Sequence, residues 1–512
     1  MRGERNVSIA KNTLFLYFRM ICIMLVTLYT SRVVLNVLGA TDYGIYQTIG
    51  GIVGFLSFVN NALSTGSSRF ITYELGRKED NKLATVFSTL LLAHIILAVC
   101  IVVVSEPIGM WYINHKLAIS ADRIFAAKLI FQFSLLTAFM NITQVPYTAV
   151  IIAHENMKIY AYVSLIEVLL KLSVAFAIFV SPIDNLVFYA FLLCVVQFTI
   201  LLIYRLYCIK FYRESKLDIK VFERSILKEV LGFSGWSLLS SVSCSLVQYG
   251  TLLMLTTFFS PILAASRAIA DQVTNAVNQF INNFRAAVNP RVVKQYAAGD
   301  YEESKKLLLK SVSFSYYLML LIALPVILLA EPLIKIWLGQ VPDYVVPFLQ
   351  WSMVQGLFAV FDSSFYVPLY AKGQMKENAL IAPAIDIVCM VFVFVCLKGK
   401  SSPLVISYSY VVMALLQGLI EKPILLCTIV GYRWNEIIIV VLRCALVTLI
   451  AVPIPTIIAM NVNTSQILLF LLVCVISSIC VVIAAWFGGM DKEDRLNFRN
   501  MILLKLLKRR SN

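Results

Sequence analysis

The feature that most constrains this chain is a succession of apolar runs, most of them about 20 residues or longer, separated by short polar gaps. They fall near 13–37, 44–68, 84–105, 124–151, 159–181, 185–209, 229–258, 262–289, 308–330, 344–370, 377–397, 402–426, 434–459 and 465–488. Within a bilayer no water reaches the backbone, so each run has to satisfy its own N–H and C=O groups as a helix. The sequence therefore predicts an all-α membrane protein of about fourteen transmembrane helices. Composition agrees: the 512 residues are 60% apolar and 14% charged, with a mean hydropathy of +0.84. A soluble domain is roughly 45–50% apolar and about 25% charged.

The net charge of +15 does not point to nucleic acid. A nucleic-acid binder gathers Lys and Arg on folded basic faces, whereas here they fill the gaps between apolar runs. The segment Met1 to Asn12 is basic and leads into an apolar run through Val37 without a small-residue cleavage site, so it is expected to be a retained first helix. Eleven cysteines are scattered singly and never form C-x-x-C; such residues serve as small apolar groups. His94, His115 and His154 are far apart and lack the spacing of a metal site. With no phosphate-binding G-x-x-x-x-G-K-[ST] either, neither metal nor cofactor is expected. Gly50, Gly51 and Gly54 suit close helix packing.

Lys and Arg orient the helices, because positively charged loops stay in the cytoplasm. With the N-terminus inside, the inner segments carry 31 of them, from Arg2 to Arg510, and the outer segments 5: Lys116, Arg123, Lys335, Lys398 and Lys400. Both termini are then cytoplasmic. The inner count includes Lys422, placed at the end of the run 402–426. The basic tail, Arg495 to Arg510, suits either an amphipathic helix on anionic lipid or a solvated end.

The chain also resembles itself at an offset near 223 residues. Gly76, Glu79, Asp80 and Lys82 recur as Gly299, Glu302, Glu303 and Lys305; Glu106-Pro107 with Trp111 recurs as Glu331-Pro332 with Trp337; Met157-Lys158 recurs as Met375-Lys376. Glu167 and Asp386 then follow at nearly equal depths. Six helices separate equivalent points, an even number, so the repeat is parallel. The predicted organisation is a six-helix bundle over 1–228, a second over 229–430, two additional helices over 431–490 and a basic cytoplasmic tail over 491–512. Such a repeat implies alternating access to a site between the halves near the midplane.

Ionisable residues at membrane depth normally face the protein interior or a water-filled cavity. In the eighth helix Arg267, Asp271, Asn275, Asn278, Asn282, Arg285 and Asn289 recur at steps of three and four and share one face. The second helix has a milder stripe, Ser57, Asn60, Asn61, Ser64, Ser67 and Ser68, and the seventh carries Ser237, Ser241, Ser245 and Gln248. Arg19 and Arg32 lie in the first helix. Cations outnumber acids in these helices, which favours an anionic substrate group such as a pyrophosphate, well matched to guanidinium forks. The expected substrate-binding set is Arg19, Arg32, Arg267, Asp271, Asn278, Asn282 and Arg285. Glu167, Asp362 and Asp386 are candidates to carry a coupling proton or sodium ion. A plainer reading stands beside these: Asp271 follows Arg267 by four residues and Lys171 follows Glu167 by four, so both pairs could be neutralising ion pairs. Arg32 could snorkel to the interface, and Arg443 lies outside the repeat.

The stretch from Arg32 through Gly39, Asp42, Tyr43, Gly44 and Tyr46, followed by Ser67-Ser68-Arg69-Phe70 and Glu74-Leu75-Gly76, resembles the opening of the polysaccharide transporters and O-antigen flippases. These form a branch of the multidrug/oligosaccharidyl-lipid/polysaccharide (MOP) exporter superfamily, with a MATE-like fold. Ala264-Ala265 with Ile269, Asn289-Pro290-Arg291 and Gly299-Asp300 are similar to the same family's second half. The resemblance implies a flippase, not an enzyme, in a bacterial inner membrane. It would move a polyprenyl-pyrophosphate-linked oligosaccharide to the outer leaflet for capsule, O-antigen or exopolysaccharide assembly, with a polysaccharide polymerase and glycosyltransferases as partners and its lipid tail left among membrane lipids. A multidrug cation exporter of the same superfamily is a rival, but it calls for an acid in the cavity where this chain has arginines. A lipid II flippase fits the same cationic cavity. A membrane glycosyltransferase or ligase calls for a longer outer loop than Glu106 to Arg123, and a channel suits a two-bundle repeat less well.

Overall fold

The computed structural model describes residues 2–55, 67, 70–71, 74–75, 80–154, 156–217, 223–374, 376–464, 466–491 and 495. These form helices and no strand. Fourteen long helices follow one another: α1 (2–38), α2 (40–55), α3 (Asp80–His115), α4 (Ile124–Ala153), α5 (Met157–Ala177), α6 (Asn185–Phe211), α7 (Arg224–Phe258), α8 (Pro261–Ala297), α9 (Tyr301–Leu328), α10 (Val345–Lys372), α11 (Lys376–Lys398), α12 (Val405–Val430), α13 (Trp434–Asn461) and α14 (Ile467–Gly489). The stripe at Ser57, Asn60, Asn61, Ser64 and Ser68, the side chain of Arg19 and the tail after Arg495 lie outside the described residues.

By length and composition, 11 stretches can cross a membrane, with α1 and α2 running together as Ile23–Gly54. Only α7 and α8 fall short among the described helices. Both are long enough; the polar face of α8 and the serines of α7 lower their hydropathy. The break between α1 and α2 is at Gly39, with φ 77° and ψ 167°. That conformation is open to glycine and strained for other residues.

The chain divides into two units. The first comprises Met1–Ile269, Pro342–Tyr344 and Asp386–Pro403, and the second Ala270–Val341, Val345–Ile385 and Leu404–Asn512. In the first unit α7 is bound to α2 by a hydrogen bond between the Thr48 and Thr256 hydroxyls, 2.6 Å apart. Tyr112 of α3 donates to the Leu253 carbonyl (3.0 Å) and meets the Thr257 hydroxyl at 2.7 Å. Gly44 allows α2 to lie directly on the Pro261 backbone, where a Cβ would overlap the Pro261 carbonyl. Just before α4, Arg123 pairs with buried Asp42 at 2.9 Å and with Asp184. Asp184 also caps α6, accepting from the N–H groups of Leu186 (3.0 Å) and Val187 (3.2 Å).

In the second unit α13 and α14 are docked on α9. Tyr316 and Thr448 hydroxyls meet at 2.9 Å, Tyr317 donates to the Gly489 carbonyl at 3.2 Å, and Lys305 pairs with Glu436 at 2.7 Å. Helix α13 is interrupted at Val452, where Pro453 begins its last turns.

Candidate functional site

Each unit contains a polar region, one a neutral cavity and the other a cluster of charges. In the first, α2, α4, α6 and α7 enclose a cavity of about 320 Å³. Its polar lining is uncharged: Tyr46, Ser134, Thr137, Asn141 and Tyr249, beside Phe133. Gly50 and Gly54 keep the α2 wall thin; a Cβ at Gly54 would sit 2.5 Å from the Tyr249 ring. Hydroxyls, an amide and aromatic faces can hydrogen-bond and stack but offer no fixed charge.

The second unit holds a charged cluster on α8, α10 and α12. Arg285 donates to the side-chain oxygen of Asn282, one turn earlier on α8, and to the hydroxyl of Ser363 on α10. Asp362, the next residue on α10, lies within electrostatic reach of Arg285 and forms an ion pair of 2.8 Å with Lys422 of α12. Lys422 also pairs with its neighbour Glu421 at 3.0 Å. Lys422 is 1% exposed and Glu421 4%. Burying such charges is costly unless they are paired, and here the ammonium lies between two carboxylates.

The geometry of α12 makes this possible. Residues 416–421 and 426–430 are wound as wider π turns, separated by one α turn at Lys422–Leu425. Such bulges redirect side chains and recur at functional sites. Gly418 lets α12 approach α10 closely, since a Cβ there would be 2.8 Å from the Phe358 carbonyl and 3.1 Å from the Asp362 nitrogen.

Of the residues expected from sequence, Asn282, Arg285 and Asp362 come together in this cluster. Asn278 is half-buried one turn before Asn282 on α8, and Asp271 is half-buried two turns earlier still. In the first unit Arg267 is 3% exposed and Arg32 is exposed. Glu167 pairs with Lys171 of its own helix at 2.6 Å, and Asp386 accepts a 2.5 Å hydrogen bond from Ser243 of α7. Arg443 pairs with Asp491 at 2.9 Å. Lys422 was expected among the inner loop cations; it lies instead inside α12. Its signal in the sequence was the adjacent charges Glu421-Lys422, which stand inside an apolar stretch that continues to Val430. Among the described residues no group of His, Cys, Asp and Glu could hold a metal ion.

Residues 33–347, more than half of the chain, match the polysaccharide biosynthesis protein family. No curated protein matches the chain in sequence. Among solved structures, the lipid II flippase MurJ in an inward closed conformation superimposes with a TM-score of 0.70 at 12% identity, covering 96% of this chain and 100% of that one. A multidrug resistance MATE family transporter of the MOP superfamily, inward-facing, gives 0.66 at 16% identity, with 83% and 98% covered. A MOP superfamily transporter from Pyrococcus furiosus gives 0.54 at 13% identity, with 83% and 95% covered. The chain is thus a multi-pass membrane protein with the fold of the MOP superfamily, and it belongs to the polysaccharide biosynthesis protein family.

Proposed function

We propose that this chain is a flippase that carries a polyprenyl-pyrophosphate-linked oligosaccharide from the cytoplasmic to the outer leaflet by alternating access. The observation that carries this reading is the family match over residues 33–347, on a fold shared with transporters. Both termini lie in the cytoplasm of a bacterial cell, the protein sits in its inner membrane, and no bond is made or broken. Two parallel six-helix bundles, 1–228 and 229–430, form the transporter, with 431–490 as two added helices. The cations Arg19, Arg32, Arg267 and Arg285 take the pyrophosphate, as guanidinium forks match phosphate oxygens. Asp271, Asn278 and Asn282 meet sugar hydroxyls, which their side chains can satisfy as hydrogen-bond partners. Asp362, Asp386 and Glu167 are available to a coupling proton or sodium ion. Polymerase and glycosyltransferases acting on the same lipid-linked glycan are the natural partners.

The test replaces Arg267 and Arg285 singly by Gln and follows lipid-linked glycan across the membrane of cells or vesicles. Loss of about tenfold or more in flipping by either variant is expected, because each removes a charge-assisted contact worth roughly 1.5–3 kcal/mol. Normal flipping by both would overturn the cationic site. Broad resistance to organic cations on overexpression, without glycan movement, would replace this reading by multidrug export. Transport of lipid II alone would move the chain to that branch.

A further inference from the structure

The second unit holds another cavity, of about 240 Å³, where the first turns of α9 and α13 meet the end of α14. Three cations line it, Lys306, Lys310 and Arg443, with two carboxylates, Glu436 and Asp491. Both carboxylates are already engaged: Glu436 by Lys305 at 2.7 Å and by the Arg433 N–H at 3.2 Å, and Asp491 by Arg443 at 2.9 Å. Leu309, Ile439 and Val440 stand beside these charges, and one turn beyond Lys310 on α9 the wall carries Phe314.

Depth decides what such a pocket meets. Lys310 and Arg443 each stand nine residues into their helices, about 14 Å along the axis at 1.5 Å per residue. Beside them ends α14, whose 23 residues reach about 34 Å, close to the hydrocarbon thickness, so the cations stand where a span-length helix leaves the hydrocarbon. A pocket with cations at this level and apolar walls beyond it matches a lipid that carries a phosphate above hydrocarbon. Its floor is fixed by Gly489, whose carbonyl accepts from Tyr317 and whose Cβ position is taken by the Tyr317 ring.

We propose that this pocket binds the phosphate of an anionic glycerophospholipid from the leaflet facing that end of the bundle. Arg443 is the principal ligand. Its pair with Asp491 is roughly half exposed on both sides, and exposed pairs hold weakly, so a phosphodiester accepting both guanidinium donors displaces the carboxylate. Lys306, which pairs with Glu303 of its own helix at 3.2 Å, and Lys310 add cationic groups from α9. Its place among α9, α13 and α14 separates this site from the residues proposed above for the cargo.

The experiment uses the full chain in nanodiscs of phosphatidylcholine with added phosphatidylglycerol, and counts retained lipid by native mass spectrometry. Wild type should retain phosphatidylglycerol in preference to phosphatidylcholine. The double variant Lys310→Gln/Arg443→Gln should weaken that retention by about tenfold or more. Asp491→Asn, which removes the competing carboxylate, should strengthen it several-fold, an increase that misfolding cannot produce. Equal retention by wild type and the double variant would overturn the site. Displacement of phosphatidylglycerol by millimolar inorganic phosphate would assign the pocket to free phosphate, and preferential retention of a prenyl phosphate would assign it to the carrier lipid; either result overturns a glycerophospholipid ligand.

Discussion

The cavity in the first unit is lined by polar groups without charge, whereas the cluster on α8, α10 and α12 of the second is charged and closely packed. Around the first cavity stand Tyr46, Thr137, Asn141 and Tyr249; between α10 and α12 stand Asp362, Lys422 and Glu421. The chain resembles itself at an offset near 223 residues, yet these two regions differ in chemistry. Neutral hydroxyls tolerate rearrangement and rehydration at modest cost. A buried ion cluster does not, because separating it leaves charge in a medium of low dielectric. The neutral cavity therefore suits a changing occupant, and the ion cluster a fixed framework that holds Arg285 near Asp362.

The largest effect should come from breaking the charged side of this contrast. Lys422→Met leaves Asp362 and Glu421 without their shared cation and should cost about 3–5 kcal/mol, read as a large fall in the thermal midpoint of the detergent-solubilised protein. Adding Asp362→Asn should recover part of that loss; if the double variant is no more stable than the single one, the pairing is not what holds α12 to α10. A smaller difference should separate two glycines. Gly418→Ala meets the backbone of α10 and should cost about 1–3 kcal/mol, while Gly54→Ala meets only the Tyr249 ring, which can move, and should cost less. Equal losses would mean that the two interiors are equally rigid. Smallest of all, Asn141→Leu in the neutral cavity should leave stability within about 0.5 kcal/mol yet slow glycan flipping a few-fold. Unchanged transport would remove that cavity from the path.

Much of this molecule was legible in its sequence, for reasons that lie in the bilayer. Apolar length set some helices to within a few residues, as the run 185–209 became Asn185–Phe211 and 434–459 became Trp434–Asn461, while others ran on into polar sequence, as 84–105 became Asp80–His115. The pair of Glu167 and Lys171 followed from their spacing alone. The burial of Lys422 within α12 did not. Two adjacent charges inside a helix look like a loop to any measure of local polarity, and only Asp362, sixty residues earlier in the chain, explains why Lys422 can be buried. The grouping of Arg123 with Asp42 and Asp184 was hidden in the same way, since its members are too far apart in sequence for periodicity to register. Local pattern reveals which residues must avoid lipid; it does not say whom they meet.

The ammonium of Lys422 is a counter-ion on a tether. An ion delivered from solution is diluted when its concentration falls, but one attached to α12 a few ångströms from Asp362 and Glu421 keeps a high effective concentration whatever the medium contains. A sodium ion would have to evict it to reach those carboxylates. A proton need evict nothing, because it can pass among the three groups while they stay in place. If an ion gradient drives this protein through Asp362, the tether favours protons over sodium.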